Sequence, residues 1–216
     1  MNREEVDVSG SWAMFSVFSP EDKMRAVVAA QRLHKIGRKI LSAGGTCAKI
    51  TESGTPVLDL KVLVGGGEAL SHNVLTLSRE LYMGLLSNPL DPEHLAELKR
   101  AHIPFIDFVY CTFYDTKRFI REASVITNRL ERLAFVAKNT DVGGPCMVHV
   151  AAKGFRIVVC NGADLEEVLT ELEHTGDVSA EHRQRLRATA EKTVLRYQAL
   201  VAAYQSEGRL AICINP

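Results

Sequence analysis

Residues 11–18, SWAMFSVF, alternate small with large side chains and predict a strand. The polar stretch SPED then predicts a helix start. Ser19 stands at the N-cap, Pro20 at the first helical position, and Asp22 near the positive helix end. Ala29, Leu33, Ile36 and Ile40 follow at three- and four-residue spacing, and Gly44–Gly45 are expected to stop that helix. A hairpin is expected next, with strands near 46–52 and 56–64 turning at Ser53–Gly54. Leu58, Leu60, Val62 and Val64 share its buried face, and Asp59 and Lys61 its wet face. Gly65–Gly67 lead into a helix with Leu70, Val74, Leu77 and Leu81 in register.

Asp91 and Pro92 cap and open a short helix. Pro104 begins an aromatic-rich stretch, and from 105 to 138 there is no Gly or Pro, which predicts one long helix or two abutting ones. A second hairpin is expected over 146–151 and 155–160, with Ala152-Lys153-Gly154 as its loop. Asn161–Gly162 precede a helix carrying Leu165, Val168, Leu169 and Leu172. Ser179 caps a last helix striped by Leu186, Ala190, Val194, Tyr197, Val201 and Tyr204, and LAICI near the C-terminus predicts a closing strand.

Two stretches match in pattern. GGTCAKITESGTPVLDLKVLVGGGEAL and GGPCMVHVAAKGFRIVVCNGADLEEVL both open on Gly-Gly-x-Cys and pass two apolar runs and a glycine loop into an amphipathic segment. They predict an α+β fold of two pseudo-repeated helix–β-hairpin–helix units sharing an antiparallel sheet covered by helices. No linker separates the units, so residues 1–216 are expected to form a single compact domain with halves at 11–90 and 105–216. This element order resembles that of small sensor or adaptor modules of the GAF or roadblock kind, in which a hairpin is flanked by helices.

Composition narrows the function classes. The 216 residues are 46% hydrophobic and 24% charged, with 26 basic and 26 acidic side chains and no net charge. Nucleic-acid binding draws on a basic surplus to displace counterions, and here only KRFIRE and EHRQRLRATAEK offer local candidates, both interspersed with acids. The polar, acidic start MNREEVDVSG lacks a secretory pattern, and no apolar run reaches the length of a membrane span. Five scattered cysteines without a C-x-x-C pair fit a reducing, cytoplasmic setting.

Candidate chemistry is sparse. VLVGGGEAL is a strand, glycine loop and helix whose N–H groups at Gly65, Gly66 and Gly67 could hold an anionic group. It fails the dinucleotide and P-loop fingerprints, and Glu68 would repel the anion. Cys146 and His149, three apart in a strand, would face opposite ways, while Cys146 would lie opposite Cys160 across the second hairpin. His94 and His102 have no third metal ligand nearby, so no metal and no cofactor are expected. On a helix, Phe105, Phe108, Phe113 and Phe119 would spread over more than one face and mark a partner or self-association surface. Asp107 and Asp115 would be solvated, and Arg183, Arg187 and Glu191 would form an exposed helix face.

These readings favour a non-catalytic regulatory, adaptor or assembly module acting through a protein partner or a homo-oligomer. The alternative is a small-molecule sensor or enzyme binding an anionic ligand at Gly65–Gly67. A nucleic-acid-associated role through the Arg-rich last helix is the third and least supported.

Overall fold

The computed structural model describes residues 2–66 and 74–207. Its centre is a five-stranded sheet in the order β3-β2-β1-β4-β5, with every neighbouring pair parallel. The strands are β1 Trp12–Ser16, β2 Lys39–Ser42, β3 Leu58–Asp59, β4 Ile106–Cys111 and β5 Ile157–Val159. The expected antiparallel sheet, hairpins and pseudo-repeats are therefore absent, and with them the likeness to hairpin-centred sensor modules. Parallel neighbours need crossovers, which are supplied by α1 Pro20–Lys35, α2 Gly44–Glu52, a connection through α3 Leu60–Val64, α4 Arg79–Leu86 and α5 Pro92–Arg100, and one through α6 Thr116–Ala123, α7 Arg129–Lys138 and α8 Gly143–Lys153. Two helices follow β5: α9 Gly162–Thr175 and α10 Ala180–Glu207.

Where polar side chains cap helices, the expected starts hold. Ser19 accepts the Asp22 N–H, Asp91 accepts those of Glu93 and His94, Asn161 accepts that of Asp164, and Ser179 accepts that of His182. The strand expected at 11–18 is present as β1, and β3 and β5 fall inside the strands expected at 56–64 and 155–160, but the partner strands expected at 46–52 and 146–151 are helical. The first helix stops at Lys35, and Ile40 belongs to β2. The first hairpin is α2, β3 and α3, and the second is α8 and β5. The aromatic stretch is β4, a loop, α6 and α7. The predicted helix through Leu70 and the closing LAICI strand fall wholly or partly outside the described residues.

The sheet is buried on both faces, so its strands read as continuous apolar runs without one-sided alternation. On one face Met14, Leu41, Val109 and Val158 pack under α3, α4, α8 and α10. On the other, Ala13, Phe15, Ile40, Phe108, Tyr110, Ile157 and Val159 pack under α1 and α9. A third cluster joins Ile120, Ala123 and Val136 to Tyr204 near the end of α10. From β1 the chain steps outward to β2 and β3, then returns to the other side for β4 and β5. The reversal lies between β1 and β4, where a parallel sheet opens a crevice at the carboxyl ends of its strands.

Candidate functional site

A cleft of about 540 Å³ occupies that crevice. It is lined by the ends of β1, β2 and β4 and by the starts of α2 and α8. Short polar side chains tie the strand ends together. The Thr46 hydroxyl accepts the Val17 N–H at 3.2 Å and donates to the Val17 carbonyl at 3.0 Å. Thr112 accepts the Phe18 N–H at 3.1 Å, and Ser42 donates to the Phe15 carbonyl at 2.8 Å.

The two Gly-Gly pairs meet here. Gly44–Gly45 begin α2 and Gly143–Gly144 begin α8, and all four line the cleft. Neither helix has a side-chain cap from its N-cap residue, Ala43 or Val142. Two positive helix ends thus open on one space, an arrangement suited to anions. Gly44 adopts φ +52 with open space around it, and the other three stand close to side chains. A Cβ on Gly45 would stand 3.0 Å from the Lys23 ammonium, and one on Gly143 would stand 2.1 Å from Thr76 Oγ1. One on Gly144 would stand 2.6 Å from the Asp141 carboxylate. The Gly-Gly-x-Cys pattern shared by the two stretches thus marks two helix starts at this cleft and not a hairpin scaffold.

Around these helix ends stand Lys23 and Lys138, whose ammonium groups have no ion pair or hydrogen bond among the described residues, together with Tyr114 and Asp141. Asp141 accepts the Gly144 N–H at 2.9 Å. Burial pushes its carboxyl above the ordinary 3.8, against the Gly144 and Tyr114 N–H groups, which favour the charged form. Burial and the Asp141 charge push the Tyr114 hydroxyl up as well. Tyr114 stacks on Phe18 at 4.8 Å between ring centres, leaving a half-exposed phenol at the mouth. The cleft therefore combines cationic anion-holding groups with a carboxyl and a phenol whose proton affinities are raised.

The sequence-derived candidates lie elsewhere or play other parts. Gly65 closes α3 in the left-handed conformation, so the loop begins at a helix C-terminus; Gly66 follows it, and Gly67 and Glu68 lie outside the described residues. Phe108 is fully buried in β4. Phe105 lies under the Arg156 guanidinium at 4.4 Å, and Phe119 packs against Phe18 and Phe135. Phe113 lies beside Gly144 and meets Tyr197 edge-on. Asp107 is not solvated but pairs with Arg38 at 2.9 Å, and Asp115 caps α6. Arg183 pairs with Asp177, Arg187 donates to the Ala152 carbonyl and stacks on Phe155, and Glu191 meets His149, so that helix face is taken up by tertiary contacts.

Cys146 and His149 share α8, but His149 is exposed and bound to Glu191; with α8 helical, the cross-hairpin pairing of Cys146 with Cys160 does not exist. Cys47, Cys111, Cys146 and Cys160 are free thiols, with burial pushing Cys160 up to about 12. Among the described residues no His, Cys, Asp and Glu cluster could hold a metal, and no helix is long and apolar enough to cross a membrane. The cleft residues missed in the sequence were Lys23, Thr46, Thr112 and Asp141, while Tyr114 belongs to the aromatic stretch read there as a ligand wall or partner surface. Pro145 was the available signal, because proline fits the first turn of a helix and not the interior of a strand.

Comparison with known proteins shows the family of the chain. The profile of the MGS-like domain family matches residues 25–146, which include Thr46, Thr112, Tyr114, Asp141 and both glycine pairs. The bifunctional purine biosynthesis protein PurH of Lactobacillus delbrueckii subsp. bulgaricus is 35% identical over 194 residues, covering 89% of this chain and 37% of that protein. PurH of Acetivibrio thermocellus is 31% identical over 194 residues, with the same shares. The chain thus spans little more than a third of the length of these relatives. The crystal structure of ForH superposes with a TM-score of 0.71 at 26% identity, covering 90% of this chain and 98% of that one. A non-catalytic adaptor or regulatory module built on hairpins is therefore corrected on both counts: the sheet is parallel, and the relatives are biosynthetic proteins.

Proposed function

Because the chain belongs to the MGS-like domain family, we propose that it is a catalytic domain acting on a phosphorylated intermediate of the kind handled in purine biosynthesis. The carrying observation is the convergence of two helix starts, Gly44–Gly45 without a side-chain cap and Gly143–Gly144 held by the Asp141 carboxylate, on one cleft beside Lys23. The phosphate sits at the start of α2, where the N–H groups, the helix dipole and the Lys23 ammonium act together. The rest of the ligand extends past Tyr114 towards Asp141. Asp141 holds or moves a proton on it, since raised proton affinity brings a carboxyl towards the working range of a general acid–base, while Tyr114 stays protonated and serves as a hydrogen-bond donor. Its free thiols suit the cytoplasmic setting of such metabolism.

A thermal-shift comparison of purine nucleoside monophosphates with the matching nucleosides tests this reading. At a hundred times its dissociation constant a ligand stabilises by about 2.7 kcal/mol. Shifts by the phosphorylated compounds alone, abolished in Lys23→Ala, are expected. Equal shifts by the nucleosides, or none by either, contradict it.

A further inference from the structure

Tyr197 lies on α10, beyond the span 25–146 matched by the family. Its hydroxyl oxygen accepts the Asp141 N–H at 2.7 Å and the Thr116 hydroxyl at 2.9 Å. Its ring meets Phe113 edge-on at 5.1 Å between centres. Asp141 in turn accepts the Gly144 N–H, and Phe113 lies against Gly144. Tyr114, the phenol at the mouth, stands in the loop between Phe113 and Thr116, so one side chain from the last helix grips both walls of the cleft.

We propose that Tyr197 is a positioning residue of this site, fixing the Asp141 carboxyl against the start of α8 and holding the Tyr114 loop opposite it. The assignment rests on the cleft being the ligand site, as read above. A tyrosine needed only for packing could leave its hydroxyl in solvent or on one partner. Here the oxygen accepts a backbone N–H from one wall and a hydroxyl from the other. A buried N–H left without an acceptor is costly, so its loss loosens the 141–144 turn. The charged form of Asp141 then loses the N–H groups that hold it down, and its proton affinity rises. The groups facing Asp141 are Tyr114 from the β4–α6 loop, Tyr197 from α10 and Cys111 from β4, with Lys23 and Lys138 on the same cleft.

The test uses the full chain and carboxyl-carbon NMR, with the Asp141 resonance identified by its loss in Asp141→Asn. Tyr197→Phe keeps the ring and removes only the hydroxyl. The Asp141 midpoint is expected to rise by about half a unit or more, roughly a threefold change in proton affinity. Orthophosphate binding, measured by calorimetry on the same samples, is expected to stay within about threefold of wild type, because the phosphate is read at α2 and the loosened turn lies at α8. Thr116→Val should shift the midpoint the same way by less, Thr116→Ser should restore it, and Tyr204→Phe on the same helix should leave it in place. If Tyr197→Phe fails to fold, the Thr116→Val and Thr116→Ser pair decides. An Asp141 midpoint unchanged in the variants that remove either hydroxyl overturns the assignment, whatever happens to stability. Wild-type protein that binds no orthophosphate overturns instead the reading of the cleft, and the midpoint still decides the role of Tyr197.

Discussion

The carboxylate of Asp141 accepts the N–H of Gly144 at 2.9 Å, so the start of α8 is held from outside the helix by a half-buried acid. Burial wins over that hydrogen bond, and the carboxyl is raised from 3.8. A group raised in the folded state contributes stability that is fully present below its unfolded value and is lost as pH climbs through the folded one. Asp141→Asn keeps an oxygen for Gly144 and removes the charge. Its melting temperature relative to wild type should therefore rise between about pH 3 and pH 7. Paired thermal melts across that window measure it, and a flat or falling difference contradicts the assigned burial of the charge.

The Lys23 ammonium has no partner among the described residues, so its removal should cost little stability. Lys23→Ala should weaken binding of a phosphorylated ligand by about tenfold, the equivalent of about 1.4 kcal/mol. The remaining affinity should depend less on salt, because one cation has left the site. Calorimetric titrations at two salt concentrations check both points.

Gly143 leaves room for Thr76. An alanine Cβ there would lie 2.1 Å from Thr76 Oγ1 but 3.4 Å from its Cβ. Gly143→Ala should destabilise by about 1–3 kcal/mol through overpacking. Adding Thr76→Ala removes the clashing oxygen and should recover most of that loss. Urea unfolding of the single and double variants gives the coupling directly.

What could be read from the sequence was local. Ser19–Pro20, Asp91–Pro92 and Asn161–Gly162 announce helix starts through their own hydrogen bonds, and the structure places helices at each. What failed was the choice of period. In α2, Thr46, Cys47 and Ile50 are buried at helical spacing, and in α8 so are Met147, Val148, Ala151 and Ala152. Their β-branched content and nearby glycines suggested strands instead. Alternation did mark β1, but β3 and β5 are only Leu58–Asp59 and Ile157–Val159, too short for a period to show. The site was hidden for a related reason. Lys23, Thr46, Thr112, Tyr114 and Asp141 are scattered in sequence and meet only because parallel strands bring their carboxyl ends to one edge.

The most direct test follows the backbone amides of Gly45 and Gly144 by NMR while a purine nucleoside monophosphate is added to the full chain. Both helix starts are expected to shift together, with one shared dissociation constant, and Lys23→Ala should weaken both responses in parallel. Saturating ligand that leaves both amides unmoved, or shifts only residues around Gly65 and Gly66, contradicts the placement of the site between α2 and α8.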